Sequence, residues 1–366
     1  MLISLRGALL SLIAFAAASA PVRAQPADRN QTFTVGTAVA TRGQRAYGVI
    51  AVPAGSDSGS AIQVAVINGV KPGPVVAFVA GSHGTEYTSV VALTRLITRV
   101  DPKTLAGTVI IAPLLNVASF EQMVPHINPV DRKGMNANYP GDLAGTQTSR
   151  ALALVTEEIV KPADVIVDLH GGDLDEDLRP YSYWIRTGNA QQDEASRALA
   201  LAFGLDMIIV RDMNVADAAS TRSLSGYALS LGKTTFVAEA GRAGLVTADE
   251  TEALVQGSLG VLGSLQMTTR TARAAVKVTW VGRDERVRAD GGGMFYATAK
   301  RGSIVKKGAK IGSITDYVGR PLGDVVAPQD GAVTFIRPVP SLAKGATIVT
   351  VAQVFGASPP PYVKPR

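Results

Sequence analysis

Two of the three histidines in this chain follow short apolar runs. His83 comes soon after one such run, and His170 directly ends another. Glu86 follows His83 by three residues, a spacing at which one turn can bring both side chains to one point. Two imidazoles and a carboxylate supply three ligands and leave a fourth position for water, as in a catalytic zinc site. The sequence therefore predicts one Zn²⁺ per chain, held by His83, Glu86 and His170.

A further carboxylate stands at the end of another apolar run. A water activated by a metal needs a group that takes up its proton and passes the proton to a leaving amine. Glu239 occupies a suitable place and is the predicted general base and acid. Asp168, two residues before His170, is predicted to orient that imidazole. From the residues alone, two alternatives stay open: ordinary hydrogen-bonded histidines, and a Glu239 that forms a structural ion pair.

Runs of strand length alternate with amphipathic stretches of helical spacing over most of the chain. The predicted strands cover residues 74–80, 109–115, 165–169, 207–210 and 234–238, and the predicted helices cover residues 87–100, 150–160, 193–203 and 249–265. Such alternation is typical of an α/β domain with a mostly parallel sheet. Ligands bind at the carboxyl ends of the strands in such sheets, where both histidines are expected to emerge.

The pattern changes near the C-terminus. From residue 276 to residue 355, short apolar segments are separated by glycine turns, which predicts a small all-β domain. Residues 305–312 and 327–331 resemble the sandwiched half-barrel of biotinyl and lipoyl carrier domains. No hairpin lysine stands in the comparable turn, so no attached prosthetic group is expected. The proline-rich tail, residues 356–366, is predicted to be flexible.

Composition and the N-terminus indicate the compartment and the class of partner. Residues 1–24 read as a secretion signal, with Arg6, an apolar stretch and a small-residue cleavage site. A periplasmic or secreted protein without a stable membrane anchor is therefore expected. The chain has no cysteine, which excludes disulfides and thiolate ligands. Its net charge of +6 is spread without a basic run, which argues against a nucleic-acid partner.

Four motifs in one order resemble those of the succinylglutamate desuccinylase and aspartoacylase family, relatives of the zinc carboxypeptidases. They are Gly-x-His-Gly-x-Glu at residues 81–86, an asparagine-containing motif that ends in Pro-Gly at residues 131–141, Asp-x-His at residues 168–170 and Glu-x-Gly at residues 239–241. The resemblance covers nearly the whole mature chain. It implies a carboxypeptidase-like catalytic domain over residues 25–270, with a doubly wound mixed sheet. It also implies hydrolysis of an N-acyl amide bond, with His83, Glu86 and His170 on the metal and Glu239 as base and acid.

The substrate loop departs from the family pattern. Asn136 is retained and is predicted to bind substrate, as is Asn116 upstream, but Ala137 stands where the family has an arginine. Losing a bidentate guanidinium removes a strong anion contact, which argues against an acyl-aspartate or succinyl-glutamate substrate. His126 falls near the place of the arginine that polarises the scissile carbonyl in aspartoacylases. It is a candidate donor to the developing oxyanion, with a solvated loop histidine as the alternative.

Other arginines could replace the missing anion clamp. Arg132, Arg179 and Arg186 are the candidates, because guanidinium groups suit carboxylate recognition. The acidic segment 173–177 favours a cationic substrate instead, or is a solvated charged loop, which is the more common case.

The sequence thus predicts an exported zinc-dependent hydrolase that deacylates a small N-acyl amino acid or related compound. Two alternatives use the same metal site: a carboxypeptidase-like metallopeptidase that acts on envelope peptides, and a non-catalytic zinc-binding protein. Another divalent metal in place of zinc and a homo-oligomeric state are left open.

Overall fold

The computed structural model describes residues 31–270 and 277–365. The predicted secretion signal, residues 1–24, lies outside the described residues. Residues 271–276, at the predicted boundary between two domains, lie outside them too. Within the two described ranges, no helix has both the length and the apolar character needed to cross a bilayer.

The described residues form eighteen strands and six α-helices. The strands are β1 Thr32–Val35, β2 Ala38–Thr41, β3 Gln44–Val52, β4 Ser60–Asn68, β5 Lys71–Ala80, β6 Ala106–Ala112, β7 Val165–His170, β8 Asp177–Arg186, β9 Met207–Asp212, β10 Thr234–Arg242, β11 Thr279–Arg288, β12 Gly293–Ala297, β13 Ile304–Val305, β14 Lys310–Thr315, β15 Pro321–Val326, β16 Gly331–Ile336, β17 Ser341–Leu342 and β18 Thr347–Gly356. The helices are α1 Tyr87–Arg99, α2 Val117–Gln122, α3 Gln147–Val155, α4 Ala190–Phe203, α5 Leu224–Ser230 and α6 Ala248–Ser264, with a 3-10 turn at Met135–Ala137 and a π turn at Thr156–Val160.

One long sheet organises the molecule. Its twelve strands lie in the order β13-β16-β18-β11-β9-β8-β10-β7-β5-β6-β4-β3. Neighbours are parallel from β10 through β7 and β5 to β6, and again from β8 through β9 to β11. The pair β8–β10 in the middle is antiparallel. The carboxyl ends of β5, β7 and β10 therefore meet at one edge of the sheet.

Helices cover both faces of this sheet. Along β5, Val76, Phe78 and Ala80 belong to the core that includes α1, α4 and α6. Val75, Ala77 and Val79 belong to the opposite core, which includes α3 and α5. A strand buried on both faces reads as a continuous apolar run, which is how the sequence identified it. The predicted α/β class is confirmed.

The C-terminal region is rich in β-strands, as predicted, and it continues the long sheet. Four of its strands, β15-β14-β12-β17, form a separate small sheet, which shares an apolar core with β16 and β18 of the long sheet. The others join the α/β sheet, because β11 pairs in parallel with β9 and β16 pairs with β8. C-terminal residues therefore line the part of the α/β sheet that lies beside the predicted site.

The C-terminal tail lies against β8 and β9. Arg186 donates hydrogen bonds to the backbone carbonyls of Pro360 and Pro361, at 2.8 and 3.0 Å. The same guanidinium donates to both carboxylate oxygens of Asp212, one of which also accepts from the backbone N–H of Val363. The flexibility predicted for this segment stays a prediction.

Arg150 holds the start of α3 to the loop that follows β3. Its side chain is 2% exposed and donates to the carbonyls of Pro53 and Gly145 and to Asp57. We expect Arg150→Met to lower the free energy of unfolding by about 3 kcal/mol, because several part-buried acceptors lose a charged donor. Urea unfolding measures this. Arg197→Met, which breaks a helical pair with Glu194 near the surface, should cost less than about 1 kcal/mol; equal losses would contradict the assigned role.

Candidate active site

The structure brings the side chains of His83, Glu86 and His170 together beyond the ends of β5 and β7. Nδ1 of His83 lies 2.7 Å from Oε1 of Glu86, and Nδ1 of His170 lies 2.9 Å from Oε2 of the same carboxylate. Glu86 and His170 are buried, whereas His83 is partly exposed. Each of the two imidazoles thus presents its Nδ1 to one carboxylate.

The loop between β5 and α1 makes this approach possible. Gly81 has a φ of +67°, a conformation that favours glycine. A Cβ on Gly84 would lie 2.3 Å from the backbone nitrogen of Phe120, so only glycine fits there. Glu86 occupies the N-cap position of α1 and accepts a hydrogen bond from the backbone N–H of Gly171. The glycine-rich motifs therefore fix where the carboxylate sits.

These residues fit a metal ion. Two imidazole nitrogens and a carboxylate within 4.8 Å of one another form a donor set suited to zinc. Although burial raises the pKa of Glu86, the two neighbouring imidazoles lower it well below its usual range, so the carboxylate is ionised. Asp168 Oδ1 lies 3.3 Å from Nε2 of His170, while Nδ1 of that ring faces Glu86. A ligand imidazole with a carboxylate on its other nitrogen is a common arrangement around bound metals.

Glu239 lies on β10, next to His170 across the parallel pair β7–β10. Burial raises the pKa of its carboxyl to about 7, against the lowering effect of the charge on His170. Tyr181 on β8 donates a hydrogen bond from its hydroxyl to Oε2 of Glu239, at 3.1 Å. A carboxyl with a pKa near neutrality can both accept and release a proton at working pH.

The Tyr181 hydroxyl positions Glu239, and its removal tests this. We expect Tyr181→Phe to lower kcat about 10-fold with little change in KM, since one hydrogen bond to a charged group is lost near the reacting atoms. Steady-state kinetics on any accepted substrate measure the effect. Tyr47→Phe, at an exposed tyrosine of β3, should leave both constants unchanged. A loss confined to KM would contradict the positioning role.

His126 lies beside the metal-ligand candidates but is engaged by the acidic segment. Its ring centroid is 5.8 Å from that of His83, and its two ring nitrogens lie 3.2 Å from Asp173 and 2.9 Å from Asp175. Burial lowers the pKa of His126, but the hydrogen bond with Asp175 and the nearby carboxylates raise it to about 9. His126 thus has a carboxylate at each ring nitrogen, which leaves neither nitrogen free for the oxyanion-donor role considered for it.

The acidic segment is not a solvated loop, so the more common case considered for it is wrong here. Asp173 is fully buried and accepts a hydrogen bond from the hydroxyl of Thr85. Asp175 also pairs with Arg337 of the C-terminal region, at 2.8 Å. Asp173 and Asp175 are therefore paired with groups of the protein itself, whereas Glu176 of the same segment lines the cleft.

The asparagines predicted to bind substrate have different surroundings. Asn136, in the 3-10 turn, faces the site, with Nδ2 3.3 Å from Nε2 of His170. Its side-chain oxygen is buried and has no hydrogen-bond partner among the described residues. Asn116 is 1% exposed and caps α2, accepting from Ser119 and donating to the carbonyl of Ser82. Asn136 thus remains available to a ligand, whereas Asn116 supports the loop that carries His83.

His83, Glu86 and His170 form the metal-ligand group. None of the three candidate arginines lines the cleft beside this group. Arg179 pairs with Asp206 through both carboxylate oxygens, and Arg186 holds the C-terminal tail. Arg132 lies in the loop before the 3-10 turn, with a φ of +59°. None of these three arginines is therefore placed to bind an anionic group of the substrate in the cleft.

A cleft of about 410 Å³ extends from the metal-ligand group toward the C-terminal strands. Its walls combine the predicted residues and Glu176 of the acidic segment with others that the sequence did not single out: Leu178, Tyr181, Tyr183, Ile185, Ile209, Arg211, Met213, Ser223, Ser225, Val237, Asp284, Arg286, Thr334, Phe335, Thr347 and Thr350. Burial raises the pKa of Glu176 to about 8, and the charge on Glu86 adds to the effect.

The sequence contained one pattern that indicates some of these additional cleft residues. Tyr181, Tyr183 and Ile185 alternate along a segment that was not predicted as a strand but forms β8. Arg211, Asp284 and Arg286 had no such signal, because their meeting depends on the pairing of β9 with β11.

Known proteins resemble this chain over much of its length. A family model for the succinylglutamate desuccinylase/aspartoacylase catalytic domain matches residues 72–265. The chain is 26% identical over 297 residues to the N-alpha-acetyl-L-2,4-diaminobutyric acid deacetylase of Halomonas elongata, an alignment that covers 77% of this chain and 83% of that protein.

Solved structures share the fold. A crystal structure of a succinylglutamate desuccinylase/aspartoacylase from Rhodobacter sphaeroides superposes with a TM-score of 0.75 at 24% identity, covering 85% of this chain and 96% of that one. The product-bound ectoine utilization protein EutE (DoeB) from Ruegeria pomeroyi gives a TM-score of 0.77 at 22% identity, covering 90% and 97%.

Proposed function

The chain belongs to the succinylglutamate desuccinylase/aspartoacylase family, and we propose that it is a zinc-dependent hydrolase that deacylates an N-acyl amino acid. The observation that carries the proposal is the meeting of His83, Glu86 and His170 beside Glu239 in one cleft. A deacetylase of an N-acetyl diamino acid among the relatives supports the substrate class. We also propose the finer fold assignments: a carboxypeptidase-like catalytic part and a C-terminal sandwiched half-barrel.

His83, Glu86 and His170 would hold the metal. Zinc held by these three side chains would supply Lewis-acid activation of the scissile carbonyl and of a water molecule. Glu239 accepts the proton of the attacking water and gives it to the amine nitrogen as the C–N bond breaks, which yields a carboxylate and a free amine. Tyr181 keeps the Glu239 carboxyl in place through its hydroxyl.

The other residues around the site orient the acyl group. Asn136 presents an amide to the cleft, and its unpartnered side-chain oxygen suits a donor on the substrate. His126 lies on the His83 side of the site, where its two carboxylate partners fix its ring.

We further propose export to the periplasm or the medium, with cleavage after Ala24. The motivating observation is the charged, apolar and small-residue order of residues 1–24. Fractionation of cells that express the full chain, followed by N-terminal sequencing, tests this. A mature protein that begins at Gln25 supports the proposal, and an intact N-terminus in the cytoplasmic fraction overturns it.

A substrate panel tests the proposed reaction. N-acetyl and N-succinyl derivatives of L-alanine, L-glutamate, L-lysine and L-2,4-diaminobutyrate are incubated with zinc-loaded protein, beside unblocked dipeptides of the same residues. Release of free amine from at least one N-acyl derivative, and not from the matched Glu239→Gln protein, is expected. Cleavage of the dipeptides alone would indicate a peptidase. No hydrolysis of any compound by protein that holds zinc would favour a non-catalytic zinc-binding protein.

A further inference from the structure

The cleft residues follow the strand order of the sheet. Along the sequence of neighbours β7-β10-β8-β9-β11, the cleft presents His170, then Glu239, then Tyr181 and Tyr183, then Arg211, and finally Asp284 and Arg286. Adjacent strands lie about 5 Å apart. The metal-ligand group and the arginines therefore stand on opposite sides of Glu239, and β9 is about 10 Å from β10.

Two contacts hold the Arg211 guanidinium in place in the wall of the cleft. Its Nη2 lies 3.1 Å from Oδ2 of Asp284, and its guanidinium carbon lies 5.1 Å from the ring centroid of Tyr183. The guanidinium of Arg211 thus lies over β8, the strand next to the one that carries Glu239. Its side chain is 39% exposed and lines the cleft, and a guanidinium has five N–H donors in all.

The charge of this cluster has a definite sign. Arg211 and Arg286 contribute two positive charges and Asp284 one negative charge, and Arg286 lies 3.7 Å from the same aspartate. The cluster of Arg211, Asp284 and Arg286 therefore has a net charge of +1. A guanidinium oriented by a carboxylate and an aromatic ring is suited to a second, incoming carboxylate.

The position of Glu239 decides which part of the substrate reaches this cluster. The scissile carbonyl belongs at the metal-ligand group, and the amine nitrogen must face Glu239 to receive its proton. The substituents of the amine then extend past Tyr181 and Tyr183 toward Arg211. In an N-acyl amino acid, the α-carboxylate is two bonds from that nitrogen.

We propose that Arg211, oriented by Asp284 and Tyr183, binds the carboxylate of the leaving amino acid and sets the requirement for a free carboxylate. The inference rests on the proposed function and deepens it. It assigns specificity to a strand outside the metal-ligand motifs, and it requires the junction of β9 with the C-terminal strand β11. A substrate with an amide in place of the carboxylate loses the charged contact.

Paired substrates test the assignment. Each N-acetyl-L-amino acid of the panel is compared with its carboxamide, using zinc-loaded wild-type, Arg211→Gln and Arg211→Lys proteins. We expect wild type to prefer the acid, and Arg211→Gln to lose about 10- to 100-fold in kcat/KM for the acid while the carboxamide changes little, as for a lost charge-assisted hydrogen bond. Arg211→Lys keeps the charge without the fork and should retain part of the preference. Arg283→Gln, at an exposed neighbour on β11, is the matched control.

Calorimetric binding of the product amino acids and of their carboxamides to the same proteins gives a second readout. Tighter binding of the acid by wild type, lost in Arg211→Gln, is expected. Equal treatment of acid and carboxamide by wild type overturns the proposal, as does an unchanged preference in Arg211→Gln. If no N-acyl compound is hydrolysed, the proposed reaction fails separately, and the binding data still decide the role of Arg211. If Arg211→Gln does not fold, the Arg211→Lys and wild-type data decide it.

Discussion

Replacing Glu239 by glutamine should lower kcat by about 10²- to 10⁴-fold, the range expected when a general acid–base group is removed. The glutamine keeps the shape of the side chain and its contact with Tyr181, but it cannot take up the proton of the attacking water. Because Glu239 is not among the metal-ligand candidates, the variant should bind zinc as wild type does. Amine release under substrate saturation and metal analysis of the same sample measure both quantities.

A matched carboxylate controls for nonspecific effects. Glu252→Gln, at a partly exposed glutamate of α6 that lies outside the cleft, should leave kcat unchanged. A Glu239→Gln protein that retains zinc and more than about a tenth of the activity would contradict the role given to Glu239.

Removing both imidazoles should abolish the metal site. We expect His83→Ala together with His170→Ala to reduce bound zinc from about one per chain to a trace, since a single carboxylate remains of three ligands. Activity should fall by at least about 10⁴-fold, because metal activation of the water and of the carbonyl is lost together. Elemental analysis of the purified proteins measures the first effect, and the amine-release assay measures the second.

The surroundings of these histidines supply a control for folding. Without an imidazole partner, the buried Glu86 becomes costly in the ionised form, so the double variant is expected to be less stable than wild type at neutral pH. Circular dichroism checks that it is folded before metal is measured. His126→Ala removes a third imidazole near the site but none of the proposed ligands. It should keep about one zinc; loss of zinc in this variant would show that the ligand set is assigned wrongly.

The sequence predicted the parts of the site that depend on local pattern. Strand-length apolar runs identified β5, β7 and β10, and the shared direction of such strands predicted that His83, His170 and Glu239 would meet. The carboxylate three residues after His83 needed only one turn of chain.

The parts that failed depend on long-range pairing. In the sheet, β8 lies between β10 and β9, and the C-terminal strand β11 lies next to β9. Arg211 and Asp284 are 73 residues apart in the chain, and no local periodicity indicates that they touch. The acidic segment was misjudged for a similar reason, since the partners that bury it, Thr85 and Arg337, lie far away in sequence.

The most direct test of a one-zinc amide hydrolase is a metal titration. Protein depleted of metal by a chelator is supplied with increasing amounts of zinc, and amine release from an accepted N-acyl amino acid is followed. We expect no activity without metal and a linear rise to a plateau at about one equivalent per chain. Full activity in the depleted protein, or a plateau reached only at several equivalents, would contradict it.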